Sequence, residues 1–302
     1  MKLSIVIPAY NEEKNIKLLY KQISSALKNY EFECIFVDDG SKDNTFEEIK
    51  ILSEKDNRIK GLSFSRNFGH QTALLAGLKE VENDIIITID ADGQHPPVII
   101  PELINEYQKG FDIVNTKRIS TADASFFKKL SSKWYYKILN TLTDIKIESD
   151  SSDFRLMTKR TVNAFLQIDE KDRFTRGLVK WIGFKQSVIE FKAPERMSGK
   201  SKYTFRKMFR FAFDGITSFS SKPLKFSIIT GIFSLFSGII YSIYIIIMYS
   251  IGKTTPGWAS MMLVILILGG FQLLSIGIIG EYISRIFNET KNRPHYFIKE
   301  KC

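Results

Sequence analysis

The chain has 302 residues, and 43 Lys and Arg against 33 Asp and Glu give it a formal net charge of +10. Hydrophobic residues make up 44% and charged residues 25%, which excludes a disordered chain and allows roughly two packed domains. The two cysteines, Cys34 and Cys302, lie far apart in sequence, which excludes a disulfide framework and fits a reducing compartment.

The N-terminal third alternates short β-branched runs with amphipathic stretches. Buried strands are predicted at residues 3–7, 34–37, 61–64 and 85–89, and helices at residues 12–28, 44–53 and 71–81. This alternation predicts an α/β fold with a mostly parallel, Rossmann-like sheet and right-handed crossovers. Ligands of such sheets bind beyond the carboxyl ends of the strands, so the residues that follow each strand are the candidate site.

Polar and small residues follow the four predicted strands, in the segments 8–13, 38–45, 66–69 and 90–97. Asp90 and Asp92 form an Asp-x-Asp pair, whose carboxylates can share a hard cation such as Mg²⁺ or Mn²⁺. Asp38 and Asp39 alone could be turn residues, but two acidic pairs at strand ends of one sheet indicate a site. Neither a dinucleotide fingerprint nor a P-loop sequence is present, so phosphate charge must be met by groups other than a glycine nest.

Two runs without any charged residue, 226–252 and 254–280, each exceed the roughly 20 residues that a helix needs to cross a bilayer. Basic residues flank both runs, while the connector between them carries only Lys253. We therefore expect a two-span protein of the plasma membrane with both termini in the cytoplasm, since basic residues favour that side. The N-terminal apolar run is too short for a signal peptide. Two buried core helices of a soluble protein are the alternative, which the basic flanks disfavour.

Before the first run, an apolar stripe spaced as on one helical face predicts an amphipathic helix in the headgroup layer. The stripe comprises Phe205, Met208, Phe209, Ala212, Phe213 and Ile216. A core-facing helix is the alternative, which spacing alone does not exclude. The predicted division of the chain is a cytoplasmic domain at 1–203, an interfacial helix at 204–225, spans at 226–252 and 254–280, and a cytoplasmic tail at 281–302.

Several of these segments carry a family resemblance. Residues 4–12 (SIVIPAYNE), 37–41 (VDDGS) and 90–96 (DADGQHP) resemble the family 2 glycosyltransferases, which have the GT-A fold. Residues 152–156 (SDFRL) and the spacing of Arg196 from Ser201, Lys202 and Tyr203 resemble the polyprenyl-phosphate branch. That branch contains the dolichol-phosphate mannose synthases and the bactoprenol glucosyltransferases of the GtrB type. The two C-terminal spans match the bacterial type, so the resemblance covers nearly the whole chain.

The resemblance implies a nucleotide-sugar donor. Its base and ribose would be held by Pro8, Tyr10, Asn11, Glu12, Asp38 and Asp39. Asp90, Ala91 and Asp92 would engage the ribose and diphosphate, and Asp90, Asp92 and Gln94 would hold Mg²⁺ or Mn²⁺. Departure of a nucleoside diphosphate develops negative charge, which a divalent cation stabilises. His95 could touch the site or could equally be a turn residue before two prolines, and it is not assigned to the site.

The resemblance also implies a lipid-phosphate acceptor, for which we expect undecaprenyl phosphate on the cytoplasmic leaflet. A phosphate monoester has a second pKa of about 6, so at neutral pH it is largely dianionic and a competent nucleophile without a strong base. Charge compensation is assigned to Arg118, Arg155, Arg196, Ser201 and Lys202. Asp153 and Arg155 are the catalytic candidates; Asp153 could act as a base, orient Arg155 or bind a sugar hydroxyl. A single displacement predicts inversion at the anomeric carbon.

The predicted activity is transfer of one hexose, from UDP-glucose or UDP-N-acetylglucosamine, for cell-envelope glycan modification. A mannose synthase that uses GDP-mannose and a non-catalytic membrane scaffold are the alternatives. A processive polysaccharide synthase is disfavoured, because Trp181 follows Leu-Val-Lys and the Gln-x-x-Arg-Trp motif is absent. Anionic lipids account for the basic charge, so no nucleic-acid partner is expected. Small residues of the second span, such as Gly269 and Gly277, are compatible with a homo-oligomer or a small flippase partner.

Overall fold

Eight strands form one mixed sheet within the residues that the computed structural model describes, which are 1–119, 151–171, 173–192, 220–253 and 257–302. The strands are β1 (Lys2–Ala9), β2 (Glu31–Asp38), β3 (Ile59–Phe64), β4 (Ile85–Thr88), β5 (Ile113–Ile119), β6 (Ser151–Thr158), β7 (Gln186–Lys192) and β8 (Ile298–Lys301). Their order across the sheet is β7-β5-β6-β4-β1-β2-β3-β8.

Helices of the same residues lie on both faces of this sheet, and two long helices follow in the C-terminal part of the chain. They are α1 (Glu13–Ala26), α2 (Thr45–Lys55), α3 (His70–Glu80), a 3₁₀ turn (Pro97–Ile99), α4 (Ile100–Gln108), α5 (Lys159–Leu166), α6 (Thr175–Trp181), α7 (Lys222–Ser250) and α8 (Trp258–Thr290). Buried residues of α1, α2 and α4 share one apolar cluster, and those of α3, α5 and α6 share a second.

The predicted α/β fold is confirmed. Strand β1 pairs in parallel with β2 and β4, β2 pairs in parallel with β3, and β5 pairs in parallel with β7. Every residue of β1 after Lys2 is buried, as expected for a central strand that is covered on both faces. All four predicted strands and all three predicted helices are present, with small differences at their ends.

Strand β6 is antiparallel to its two neighbours and places the SDFRL motif, residues 152–156, near the centre of the sheet. It is antiparallel to both β4 and β5, and Arg155 is paired with Thr88 on one side and with Asn115 on the other. Residues 152–155 therefore lie beside the end of β4, just before Asp90. Long-range pairing of this kind brings Asp153 to the Asp-x-Asp segment although 60 residues separate them in sequence.

The C-terminal segment differs from the expected tail. Helix α8 continues to Thr290, and the chain then returns to the sheet, where β8 pairs antiparallel with β3. A Cβ atom at Gly61 would lie 2.5 Å from the Sγ atom of Cys302, so this pairing depends on a residue without a side chain. All four residues of β8 are exposed, as is common for a charged strand at a sheet edge.

Helices α7 and α8 are long and apolar enough to cross a membrane. Most of their large apolar side chains are exposed, and Phe233, for example, is 73% exposed. Polar contacts hold one end of the pair: the Tyr282 hydroxyl of α8 donates to the carbonyl of Ser220, just before α7, at 2.6 Å, and the backbone N–H of Lys171, between α5 and α6, donates to Glu289 of α8 at 2.7 Å. Most of the expected interfacial helix, at 204–219, lies outside the described residues, and 222–225 form the first turn of α7.

Candidate functional site

The loops after β1 and β2 are bonded to each other at the edge of the sheet. The backbone N–H of Asn11 donates to Ser41 Oγ at 2.9 Å, and the backbone N–H of Lys42 donates to Asn11 Oδ1 at 2.9 Å. Asn11 adopts a left-handed conformation, with φ 55°, which an asparagine tolerates. Tyr10 is exposed beside these loops, whereas Pro8 is buried in β1. The predicted base-binding residues therefore stand on a loop pair held by its own hydrogen bonds.

Both carboxylates after β2 are engaged within the protein. Asp38 is buried and accepts hydrogen bonds from Ser63 Oγ at 2.8 Å and from the backbone N–H of Ser41 at 3.1 Å. Asp39 accepts from the backbone N–H groups of Phe68 and Gly69 at the start of α3. Burial raises the pKa of the Asp39 carboxyl, and these two N–H groups oppose that rise. Asp39 thereby fixes α3 against the end of β2.

His95, a residue not assigned to the site from the sequence, is buried and holds Asp90 in place. Its Nδ1 atom accepts a hydrogen bond from the backbone N–H of Asp90 at 3.1 Å. Because Nδ1 accepts, the proton is assigned to Nε2, which lies 2.6 Å from Ser152 Oγ. The imidazole also stacks on Phe154, with 5.3 Å between ring centroids. Leaving His95 unassigned therefore missed a residue that links β4 to β6.

The Asp-x-Asp segment carries an oxygen atom suited to a cation. Oδ1 of Asp90 is buried and has no hydrogen-bond partner in the described part of the chain. Asp92 Oδ1 accepts from the backbone N–H of Gln94 at 3.0 Å, and Gln94 Oε1 accepts from Arg118 Nη1 at 3.2 Å. The described residues contain no group of three His, Cys, Asp or Glu that could hold a metal. Two carboxylates still fit Mg²⁺ or Mn²⁺, because substrate phosphates commonly complete the shell of such ions.

Asp153 lies between two guanidinium groups. Arg155 Nη2 is 3.0 Å from its Oδ1 atom, and Arg176 on α6 contacts both carboxylate oxygens at 3.3 and 3.4 Å. Burial alone would raise the pKa of the Asp153 carboxyl, but Arg176, Arg155 and His70 outweigh it and hold that pKa well below its usual range. Asp153 is therefore a persistent anion, and a carboxylate of such low proton affinity is a weak general base.

His70 connects the Asp-x-Asp segment with Asp153. This first residue of α3 places its Nε2 atom 3.4 Å from Asp90 Oδ1 and 3.8 Å from Asp153 Oδ2. Gln71 donates to the same Asp153 oxygen at 3.4 Å. His70, Gln71 and Arg176 were not among the residues predicted from the sequence. The sequence offered a signal for His70 and Gln71 only, because they directly follow the polar segment 66–69 at the end of the third predicted strand.

The residues predicted to bind the acceptor phosphate differ in their exposure to solvent. Arg118 is exposed beside Gln94, but Arg155 is only 1% exposed and lies beneath Asp153. A side chain so deeply buried is better suited to holding Asp153 than to meeting a substrate directly. Arg196, Ser201 and Lys202 lie outside the described residues, so their roles stay predictions.

Two family models match this chain. Residues 4–165 match the model for glycosyl transferase family 2, and residues 222–286 match the GtrB C-terminal hairpin. The chain is 44% identical to CsbB of Bacillus subtilis (strain 168), which carries a glycosyltransferase name, over 99% of this chain and 91% of that protein. It is 40% identical to the bactoprenol glucosyl transferase of Shigella phage SfX over the full length of both.

Among solved structures, the chain is similar to glucosyl-3-phosphoglycerate synthase from Mycobacterium tuberculosis in complex with Mn²⁺, UDP-glucose and phosphoglyceric acid. The two are 20% identical, with a TM-score of 0.47, and the match covers 72% of this chain and 77% of that chain.

Proposed function

The chain belongs to glycosyltransferase family 2 and has the GT-A fold with a GtrB-type C-terminal hairpin. We propose that it transfers one hexose from a nucleotide sugar to undecaprenyl phosphate. UDP-glucose or UDP-N-acetylglucosamine is the proposed donor. The observation that carries the proposal is the position of His70 between Asp90 and Asp153, at 3.4 and 3.8 Å. It joins the residues assigned to the departing diphosphate with those assigned to the acceptor.

On the donor side, the loops after β1 and β2 would hold the nucleoside, and Asp90 and Asp92 would face the diphosphate. Support for a cation comes from the buried Asp90 Oδ1 atom, which accepts no hydrogen bond in the described part of the chain and lies 3.4 Å from His70 Nε2, with Asp92 and Gln94 nearby. A bound Mg²⁺ or Mn²⁺ would neutralise the charge that develops on the leaving nucleoside diphosphate. Asp90 is held in position for this task by His95.

On the acceptor side, the phosphate would attack the anomeric carbon directly, and a single displacement inverts the configuration. The phosphate is largely dianionic at neutral pH, so no strong base is required. The two guanidinium groups around Asp153 support a role for this carboxylate in orienting Arg176 or binding a sugar hydroxyl. We propose that Arg118, Arg196, Ser201 and Lys202 compensate the charge of the acceptor phosphate.

The acceptor lipid would be reached from the membrane surface. Helices α7 and α8 are proposed to cross the plasma membrane as a hairpin, with the glycosyltransferase domain in the cytoplasm. The contacts of Lys171 with the C-terminal end of α8 support this arrangement, because its backbone N–H donates to Glu289 at 2.7 Å and its Nζ donates to the Arg293 carbonyl, just beyond the helix, at 2.8 Å. Basic residues on that side favour the same orientation.

The test uses the full chain, purified in detergent, with undecaprenyl phosphate, Mg²⁺ or Mn²⁺, and a panel of UDP- and GDP-sugars. Mass spectrometry would detect lipid-linked product, and a chelator provides the metal-free control. A single-hexose adduct on the lipid, lost with chelator, is the expected result. Product from GDP-mannose alone would identify a mannose synthase instead, and release of nucleotide without lipid product would identify another acceptor. No turnover with any donor would favour a non-catalytic scaffold.

A variant pair separates the two substrates. Lys202→Ala should raise the KM for the lipid phosphate more than the KM for the nucleotide sugar, because only the acceptor side loses a cation. Lys109, an exposed lysine after α4 that pairs with Glu106, provides the matched control through Lys109→Ala. Equal changes in both KM values would indicate a structural role for Lys202.

A further inference from the structure

Four aromatic rings form a cluster where the chain returns from α8 to the edge of the sheet. Tyr296 stacks on Phe64 at the end of β3, with 4.9 Å between ring centroids. Phe64 meets Phe68 edge to face at 5.7 Å, and Phe297 lies 6.3 Å from Phe68. Aromatic pairs at such distances attract one another beyond the apolar area that they bury. These four rings, the ring cluster, therefore tie the segment after α8 to the end of β3 and to the loop that follows it.

The loop from β3 to α3 is held from two sides. Its residues 65–67 are exposed. On the side of β2, the Asp39 carboxylate accepts a hydrogen bond from the backbone N–H of Phe68 at 2.7 Å. On the side of β8, the Phe297 carbonyl accepts from the backbone N–H of Ser65 at 3.0 Å, and the ring of Phe68 lies in the ring cluster. The C-terminal segment thus supplies the support on the second side.

A glycine joins this loop to α3. Gly69 has φ 101°, which favours glycine, and a Cβ atom there would meet no described atom within 4 Å beyond its chain neighbours. Because nothing packs at this joint, the position of His70 depends on how Phe68 is held. The His70 side chain is 41% exposed, whereas α3 is buried from Ala73 to Leu78. The packed body of α3 therefore constrains its first residue less than it constrains the rest of the helix.

We propose that Tyr296 and Phe297 position His70 between Asp90 and Asp153, so that the segment after α8 is a positioning element of the site. The inference rests on the proposed function, in which His70 joins the donor side to the acceptor side. A misplacement of about 1 Å at a reacting centre can lower a rate about a hundredfold. Two rings that touch no substrate can therefore control turnover, and they link the site to the hairpin that precedes them.

The experiment follows His70 by NMR in the full chain in detergent. The chain has three histidines, so ¹³C-labelled histidine gives three ring signals, and the signals of His95 and His295 are assigned with His95→Phe and His295→Phe. Asp153→Asn should move the His70 signal, because the two side chains lie 3.8 Å apart. The size of this movement reports contact between His70 and residue 153. Because it is a difference, the direct effect of removing a ring elsewhere cancels.

Variants of the ring cluster are then combined with Asp153→Asn. Tyr296→Ala and Phe297→Ala should each at least halve the movement of the His70 signal, whereas Tyr296→Phe, which keeps the ring, should preserve it. Glu300→Ala is the matched control in β8, because it breaks an exposed ion pair with Lys50 at 3.2 Å and spares the rings. Phe297 is 56% exposed, so Phe297→Ala decides the question if Tyr296→Ala does not fold.

Turnover provides a second readout. Tyr296→Ala should lower kcat about tenfold and change the KM of either substrate by less than about twofold, because a positioning residue touches neither substrate. Tyr296→Phe should keep kcat within about twofold of the unchanged chain, because the ring is retained. A lower unfolding temperature with an unchanged kcat in Tyr296→Ala would show that the ring only stabilises the fold, and the proposal would be wrong.

Two NMR results would also overturn the proposal. The first is a movement of the His70 signal that is as large in Tyr296→Ala and Phe297→Ala as in the unchanged chain. The second is an equal reduction by Glu300→Ala, which would assign the effect to the pairing of β8 as a whole. If the unchanged chain transfers no sugar, the proposed function fails, while the NMR comparison still decides whether the rings position His70.

Discussion

The Nδ1 atom of His95 accepts a hydrogen bond from the backbone N–H of Asp90 at 3.1 Å. This contact closes the segment that follows β4, and the 2.6 Å contact of Nε2 with Ser152 Oγ ties the same ring to β6. The position of the Asp90 carboxylate therefore depends on a buried ring five residues further along the chain. A substitution of His95 should therefore displace the carboxylate that faces the donor diphosphate, even though the ring itself is only 7% exposed.

The first prediction concerns this ring. His95→Phe preserves the stacking on Phe154 but removes both hydrogen bonds, so kcat should fall about tenfold or more, because the residue that positions a metal-binding carboxylate is lost. Steady-state rates and a metal titration would measure the effect. His295→Phe is the matched control, because His295 bonds to the exposed Asp169 far from Asp90 in the chain. An unchanged kcat in His95→Phe would show that the ring is only structural.

The second prediction concerns metal dependence. Asp92→Asn should lower turnover by about a hundredfold or more, because charge on the leaving diphosphate would lose its compensation. The protein should stay folded and bound to membranes, since Asp92 is only partly buried. Initial rates across a Mg²⁺ series and circular dichroism would report the two properties. Asp84→Asn, at an exposed turn before β4, provides the control. Full activity in Asp92→Asn would remove this residue from the metal site.

The third prediction concerns pH. The pKa of Asp153 is held low by its arginine neighbours, so this carboxyl stays ionised through the neutral range and contributes no limb to the rate profile there. The acid limb should instead follow the acceptor phosphate, and activity should fall as pH decreases through ~6 and the dianion is protonated. The residual activity of Asp153→Glu should show the same acid midpoint. A midpoint that moves with this substitution would indicate that residue 153 is the base.

The fourth prediction concerns stability. Asp153→Ala leaves Arg155 buried without its partner, which should lower the free energy of unfolding by about 3–5 kcal/mol. The double variant Asp153→Ala, Arg155→Met should recover much of this loss, because removing both charges of a buried pair is often neutral. Thermal unfolding in detergent would measure both. Equal losses in the single and double variants would show that the ion pair itself, rather than the uncompensated charge, carries the effect.

The same ion pair has a pH signature. The folded-state pKa of Asp153 is lowered, so its contribution to stability is present above the unfolded pKa of about 3.9 and is lost as pH falls below that value. The wild-type chain should therefore lose stability below pH ~4 more steeply than Asp153→Asn. Identical slopes of unfolding temperature against pH would contradict the ionised state of Asp153 in the folded protein.

The fifth prediction concerns the edge of the sheet. Gly61→Val places a Cβ atom 2.5 Å from Cys302 Sγ and 2.7 Å from Ile49 Cγ2, so β8 should be displaced from β3. We expect a loss of about 1–3 kcal/mol and faster proteolysis of the C-terminal segment. Limited trypsin digestion followed by mass spectrometry would detect the faster cleavage of the C-terminal segment. Gly231→Ala, which meets no atom within 4 Å, is the control.

The sequence predicts the first four strands and their helices because each is a local pattern, a β-branched run followed by an amphipathic stretch. It does not predict β6 as the neighbour of β4, since antiparallel pairing across more than 60 residues leaves no local signal. Strand β8 escaped prediction for a different reason: Ile-Lys-Glu-Lys has no alternating apolar face. Its place is set by the unpaired edge of β3 and by the missing side chain of Gly61.

The residues of the candidate site also fall into those that a local sequence pattern predicts and those that it does not. Asp90, Asp92 and Asp38 were predicted because acids at strand ends of one parallel sheet must meet at one edge. His95 and Arg176 were not, because a histidine before two prolines reads as a turn, and because Arg176 reaches Asp153 from a separate helix. In both cases the role follows from contacts made by a buried side chain, which neither spacing nor composition encodes.

Because β8 follows α8 in the chain, the ribosome releases both apolar helices before it releases the strand that covers the edge of β3. During synthesis the other seven strands of this sheet can pair, while the edge of β3 stays open until the hairpin has been made. An open edge is a template for pairing with another chain, so a hairpin that is delayed in reaching its destination prolongs a vulnerable state. Completion of the sheet is thus a late event in biogenesis, and it follows delivery of the hairpin.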